Sequence, residues 1–226
     1  MRKSAVLFLT FITFIIIILS GGAIIKLVAV SDTPTIYIDP GHGGFDGGAT
    51  SQEKDLIEKD VTLQISLKLA YFLEQMGYKV LLTRDADLAL AHNKTKDIHN
   101  RVKLINQSNS ELYISIHVNS YPNVNVKGAQ TFYNDKGEKN KELAQSIMDM
   151  LKIIDPYNNR EAKSITGKYL IDKISKTGCL VEVGFLTNPQ EKEKLKTSKY
   201  QEEVAYAIFL GVMKYLGNGG DNLYDR

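Results

Sequence analysis

An α/β sandwich with a mostly parallel sheet is the fold class this sequence predicts. Two patterns point to it. Short apolar runs of strand length alternate along the chain with longer stretches whose apolar residues recur at helical spacing. No repeat and no second linker interrupts residues 35–216. With 226 residues, 43% hydrophobic and 24% charged, the chain can bury one sizeable core, and a single domain is expected.

The elements follow in order. Thr35–Ile38 reads as a first strand. Val61, Ile65, Leu69, Phe72, Leu73 and Met76 mark a helix that Gly77 is placed to end. Tyr78–Thr83 is a second strand. Asp97 is a candidate cap for a helix carrying Ile98, Val102 and Ile105. Leu112–His117 is a third strand and Gly128–Tyr133 a fourth. Leu143, Ile147 and Leu151 belong to another helix. Cys179–Gly184 forms a late strand, and Val204–Leu216 a final helix. In such a sheet, ligands bind beyond the carboxyl ends of the strands.

The chain ends differ from this pattern. Arg2 and Lys3 precede an apolar run, Ala5–Leu19, followed by small residues, as in a secretory signal. Ala5–Ile25 is also about 20 residues long, enough to span a bilayer once. Residues 1–30 are therefore expected to be a signal peptide or a signal-anchor that directs the rest out of the cytoplasm, membrane-anchored or secreted. Cys179 is the sole cysteine, which excludes a lipoprotein anchor near the N-terminus, an intrachain disulfide and a cysteine-based zinc finger. Residues 31–34 read as a linker and 217–226 as a frayed tail. Removing Arg2, Lys3 and Lys26 leaves 25 basic residues against 26 acidic. The exported part is not a polycation, and no nucleic-acid partner is expected.

The chemistry concentrates where strands end. Ile36-Tyr-Ile-Asp-Pro40 runs into five glycines within residues 41–48, around His42. Gly-x-Gly-x-x-Gly fails, because Asp46 occupies its last position, and no Gly-Lys-Ser/Thr follows; a phosphate cradle is excluded and no organic cofactor is expected. Tight turns around an imidazole explain the glycines better. His117 ends the third strand, so two histidines at matching topological positions favour a metal. His92 and His99 read as surface residues. A hydrolytic zinc site needs a third protein ligand, and Glu53, Asp55 and Glu58 are equal candidates on chemistry; as part of a charged helix start, Glu58 also has an ordinary surface explanation. Glu182 lies in an otherwise apolar strand. It either faces solvent on an edge or stands in a cleft, where it can pass a proton between water and a leaving group. Cys179 reads as a buried structural residue. Gly-x-Ser-x-Gly and His-Glu-x-x-His are absent.

These residues together resemble the zinc-dependent N-acetylmuramoyl-L-alanine amidases of bacterial cell walls, the type 3 amidase domain. The matching segments, in the family's order, are Ile38-Asp-Pro-Gly-His-Gly-Gly44, Glu58-Lys-Asp-Val-Thr-Leu63, Ser115-Ile-His-Val-Asn119 and Leu180-Val-Glu-Val-Gly-Phe-Leu-Thr-Asn-Pro189. Leu82-Thr-Arg-Asp85, Arg101 and Asn106 also fit. The resemblance covers 35–216 and implies a twisted six-stranded sheet flanked by helices. It implies zinc ligands His42, Glu58 and His117, with Glu182 as catalytic base and acid. The implied reaction cleaves the amide between N-acetylmuramic acid and L-alanine of peptidoglycan. The stretch from Ser120 to Gly128 is too short for the helical insertion that blocks the zinc in some family members, and wall-binding repeats are absent. This compact, membrane-targeted form resembles single-domain amidases of spore cortex, where the step precedes muramic δ-lactam formation and the forespore envelope is the site of action. A separate activator or targeting protein is the expected partner. The rival readings are a non-catalytic peptidoglycan-binding module and another zinc hydrolase, a peptidase or deacetylase. Products separate them: an amidase frees the L-alanine amine, a deacetylase frees acetate, and a binding module frees nothing.

Overall fold

The computed structural model describes residues 33–218. The expected signal or anchor over 1–30, the start of the linker and the tail from 219 onward lie outside them. Among the described residues the strands are β1 (Thr35–Pro40), β2 (Lys79–Leu82), β3 (Leu112–Asn119), β4 (Gln130–Tyr133), β5 (Lys163–Ser164) and β6 (Thr177–Phe185). The helices are α1 (Glu58–Gln75), α2 (Lys94–Gln107), α3 (Glu138–Ile154), α4 (Tyr169–Lys173), α5 (Pro189–Leu195) and α6 (Ser198–Asn218). The strands form one six-stranded sheet in the order β2-β1-β3-β6-β4-β5. Every pairing is parallel except β4 with β6. No helix among the described residues is long and apolar enough to cross a membrane.

Period-two alternation along the central strands decides where the chemistry goes. Ile36 and Ile38 of β1, Ile114 and Ile116 of β3, and Cys179 and Val181 of β6 face one side of the sheet. There they pack against the buried stripes of α1, α3 and α6. The intervening residues face the other side. Tyr37, Tyr113 and Leu180 join Val102 and Ile105 of α2 and Leu170 and Ile171 of α4 in a second, smaller cluster. Asp39, Ser115, His117 and Glu182 continue that second face toward the carboxyl ends of their strands. Asp39 is level with Ser115 across β1–β3, and His117 with Glu182 across β3–β6.

The helix boundaries have local causes. The end of α1 is a Schellman motif at Gly77, whose φ is 83°: the Gly77 N–H donates to the Glu74 carbonyl and the Tyr78 N–H to that of Leu73. The expected cap of α2 is corrected. Asn93, not Asp97, caps it by accepting from the Lys96 N–H at 2.9 Å. Asp97 lies one turn further in, buried, because Arg101 four residues on takes its carboxylate at 2.6 Å. Three short elements had no periodic pattern to announce them: β5, α4 and α5. The last of these does carry an Asn188 cap and Pro189 in its first turn. The final helix starts at Ser198, earlier than expected, and includes Gly217 and Asn218.

One buried ion pair locks the end of β1. Asp39 Oδ1 accepts from Arg101 Nη1 at 2.8 Å and from Thr83 Oγ1 at 2.7 Å, and Oδ2 accepts from Ser115 Oγ at 2.7 Å. Burial alone would raise the Asp39 carboxyl; the Arg101 guanidinium and the two hydroxyls outweigh it and hold it below its ordinary value. Asp39→Asn is expected to cost about 1–3 kcal/mol at neutral pH, because it removes one of the two carboxylates that compensate the buried guanidinium. Since the folded-state pKa is the depressed one, this stabilisation is full above the unfolded value and is lost as pH falls through the folded one. The gap between wild type and variant in urea unfolding should therefore narrow below roughly pH 4. A gap that does not change with pH would contradict the charge assignment.

Candidate metal centre

Glu58 opens α1, but its side chain turns inward and is only 4% exposed, which sets aside its surface explanation. Oε2 accepts from the Ala49 N–H at 2.7 Å and Oε1 from the Val118 N–H at 3.0 Å. The same Oε1 lies 2.9 Å from His117 Nδ1 and 3.2 Å from His42 Nε2. Burial would raise this carboxyl; the His117 and His42 imidazoles outweigh it and hold Glu58 well below the usual carboxylate range. The two rings meet edge to face, with centroids 5.0 Å apart. One ligand-type atom from each of His42, Glu58 and His117 lies within 4.8 Å of the others.

His42 is held from outside the cluster. Its φ of 62° is a left-handed conformation that costs a non-glycine residue about 1–3 kcal/mol. The surroundings over-determine it. Arg101 Nη2 donates to the His42 carbonyl. Arg101 Nη1 and Arg84 Nε both donate to the Pro40 carbonyl, and Arg84 Nη2 donates to that of Gly41 at 2.9 Å. On the side chain, His42 Nδ1 lies 2.9 Å from Asp46 Oδ2 and Nε2 turns toward Glu58; the tautomer with its proton on Nδ1 is the one that leaves Nε2 free for a metal. Asp46 is itself fixed by Lys94 at 2.7 Å and the Gly48 N–H at 3.2 Å. Burial would raise Asp46, but Lys94 and His42 bring it down to about 2. A carboxylate bonded to the far nitrogen of a histidine is the usual outer support of a metal-binding imidazole.

Glu182 stands beside His117 and behaves in the opposite sense to Glu58. Its Oε2 is buried and has no hydrogen-bond partner. Burial pushes the carboxyl up to about 7; His117 pulls it down, and the Glu58 charge adds to the rise. Both glutamates and both histidines line one cleft of about 470 Å³, whose lining also includes Ile165, Lys168 and Tyr169. A second cavity of about 320 Å³ adjoins it on the side of Asp46 and Lys94. Sites of this size accommodate ligands a few sugar or amino-acid residues long.

The two other carboxylates equal to Glu58 on chemistry are elsewhere. Glu53 is exposed and pairs with Lys192 at 2.7 Å, and Asp55 pairs with Ser51 and Lys196. His92 and His99 are exposed, and His99 stacks on Tyr169 at 4.3 Å. Cys179 is fully buried and burial pushes its thiol up to about 12, so it is no nucleophile. Between β3 and β4, residues 120–129 contain no helix. Sequence reasoning missed Asp46, although it lies four residues after His42 in a glycine loop. It also missed Lys168 and Tyr169, which sit in a segment without periodicity.

Space explains two of the glycines. A Cβ on Gly41 would lie 2.4 Å from the His117 ring, and one on Gly48 would lie 2.5 Å from Glu58 Oε2 and 2.7 Å from the His42 ring. Gly48→Ala is therefore expected to displace Glu58 and His42 while the fold is kept. The change should show as altered His42 and His117 imidazole shifts in NMR with an unaltered far-ultraviolet spectrum. Unmoved imidazole resonances would contradict this packing.

Comparison with known proteins agrees with this arrangement. A family model described as N-acetylmuramoyl-L-alanine amidase matches residues 36–214. The germination-specific N-acetylmuramoyl-L-alanine amidase of Bacillus subtilis (strain 168) is 44% identical over 194 residues, spanning 82% of this chain and 81% of that protein. Among solved structures, the CwlD amidase from Clostridioides difficile, in complex with the GerS lipoprotein, superposes with a TM-score of 0.79 at 38% identity, covering 82% of this chain and all of that one. An N-acetylmuramoyl-L-alanine amidase from Clostridium difficile 630 gives 0.75 at 32% identity over 84% of this chain. The chain belongs to the N-acetylmuramoyl-L-alanine amidase family.

Proposed function

We propose that this chain hydrolyses the amide between the lactyl group of N-acetylmuramic acid and L-alanine in peptidoglycan, with zinc held by His42, Glu58 and His117 and with Glu182 carrying the proton. The observation that carries the proposal is the convergence of two imidazoles and an anionic carboxylate within 4.8 Å, beside a carboxyl with an unpartnered buried oxygen. This donor set fits zinc: nitrogen and oxygen ligands, three from the protein, and an outer carboxylate on His42. When bound there, zinc supplies Lewis-acid polarisation of the scissile carbonyl and lowers the pKa of water.

The chain's own groups supply the proton chemistry. Ionised Glu182 takes a proton from water as the water oxygen bonds to the lactyl carbonyl carbon. It then gives that proton to the alanine nitrogen as the carbon–nitrogen bond breaks, which restores the carboxylate. A carboxyl raised to about 7 by burial suits both halves of this transfer. Asp46 keeps the proton on His42 Nδ1, so the opposite nitrogen, Nε2, keeps its lone pair for the metal.

The relative named as germination-specific supports spore-cortex peptidoglycan as the polymer, with δ-lactam formation as the following step. The solved relative bound to a lipoprotein supports a separate protein partner that activates or positions this chain. The apolar segment over residues 1–30 supports export and an extracytoplasmic site of action, anchored or secreted. Residues 35–216 are the proposed catalytic domain.

The two kinds of site residue should separate experimentally. Glu182→Gln is expected to keep full zinc content and lose about 10²–10⁴-fold in kcat, the usual contribution of a general base. His117→Ala is expected to lose zinc, measured by metal analysis of the purified protein. Zinc loss in the first variant, or full zinc in the second, would reverse the roles.

The pH profile gives a third check. Glu182 must be ionised to accept a proton, so kcat/KM should fall as pH drops, with its acid limb at about 7 or, because a cation nearby favours the carboxylate, below it. A profile that is flat down to pH 4, about the ordinary carboxylate value, would contradict Glu182 as the base.

A further inference from the structure

One cation of the cleft has no role in the chemistry above. Lys168 lines the same cleft as the histidine–glutamate cluster, with its chain neighbour Tyr169. Lys94, which lines the adjoining cavity, pairs with Asp46, and Lys59, which reaches the glycine loop, pairs with Asp87. Lys168 is exposed and has no carboxylate partner among the described residues.

The backbone beneath Lys168 is tied down on both sides. The Gly167 N–H donates to Asp172 Oδ2 at 2.9 Å. Lys168 itself is extended, with φ of −102° and ψ of 109°, and leads into α4. Tyr169 stacks on His99 of α2, and Leu170 and Ile171 are buried in the second apolar cluster. Asn106 of α2 donates to the Lys173 carbonyl and accepts from the Ser175 N–H. Lys168 thus lines the cleft from a fixed backbone, and the other charged side chains of the lining, Glu58 and Glu182, are acidic. With zinc held as proposed, Lys168 is the one lysine that lines this cleft among the described residues, and an ion pair within a cleft is screened less than one on open surface.

Given the amidase reading proposed above, the ligand has such a group. In the stem peptide, L-alanine is followed by a glutamate joined to the next residue through its side-chain carboxyl, so its α-carboxylate is free unless amidated. That carboxylate is two residues from the scissile amide, about 7 Å of extended chain. We infer that Lys168 is the carboxylate anchor of the cleft and makes the enzyme select stems with a free α-carboxylate after L-alanine over the amidated form.

The test uses the full chain and two synthetic muramoyl stem peptides that differ only in that carboxylate or carboxamide. Wild type should prefer the acidic stem by roughly tenfold, carried in KM, as expected for one charge-assisted contact. In Lys168→Ala the ratio between the two substrates should fall to about one, and Lys168→Arg should restore most of it. An unchanged ratio in Lys168→Ala would overturn the assignment. So would a loss confined to kcat with a displaced acid limb, which would mean that Lys168 acts only through Glu182. Calorimetric binding of the two free stem peptides keeps the inference separable from the amidase reading. If neither substrate is hydrolysed even with the activating partner added, that reading fails, and the acid-to-amide affinity ratio in wild type and Lys168→Ala still decides the role of Lys168.

Discussion

The buried pair of Asp39 and Arg101 is the constraint on which the rest of the site depends. A buried ion pair adds little net stability, because desolvation consumes most of the Coulombic gain. Its value here is positional. Arg101 is fixed by Asp39 and Asp97, and from that fixed place it donates to the carbonyls of Pro40 and His42. Arg84 reaches the Pro40 and Gly41 carbonyls from the second strand's side and ties them to Lys59 and Thr62 of α1. Three consecutive carbonyls, at the end of β1 and just beyond it, thereby accept guanidinium hydrogen bonds. The strained His42 backbone is the consequence, and the imidazole is aimed before any ligand arrives.

Two glutamates on one wall then acquire opposite properties from their surroundings. Glu58 gathers two backbone N–H groups and two imidazoles and stays an anion. Glu182 keeps a bare oxygen in a buried position and holds its proton more tightly. Separating the proton affinities of two neighbouring carboxylates is how a site assigns one to binding and the other to proton transfer. The register of β3 against β6 creates this arrangement: it sets Glu182 level with His117, on the face that α1, α3 and α6 leave free.

Much of this was legible in the sequence. The sequence pattern placed His42 and His117 beyond or at strand ends and Glu182 within an apolar strand, and the helical spacing of Val61, Ile65 and Leu69 gave α1 its buried face. Other features were not legible, for physical reasons. Glu53, Asp55 and Glu58 are equivalent as chemistry, and only the inward turn of the α1 N-terminus separates them. Asp97 has the composition of a cap, but a partner four residues away outcompeted that role. The α4 wall with Lys168 and Tyr169 depends on side chains of α2 some 70 positions earlier, such as His99, and no local pattern encodes a contact of that kind.

The central claim is a metal-dependent amide hydrolysis, and it can be tested without any variant. The purified protein would be incubated with cell-wall peptidoglycan, with and without a zinc chelator, and the soluble products analysed by mass spectrometry. Stem peptides beginning with a free L-alanine amine, released only without the chelator and again after zinc is restored, are the predicted result. Zinc-loaded protein that releases acetate or internal peptide fragments, or equal release in the presence of chelator, would contradict it.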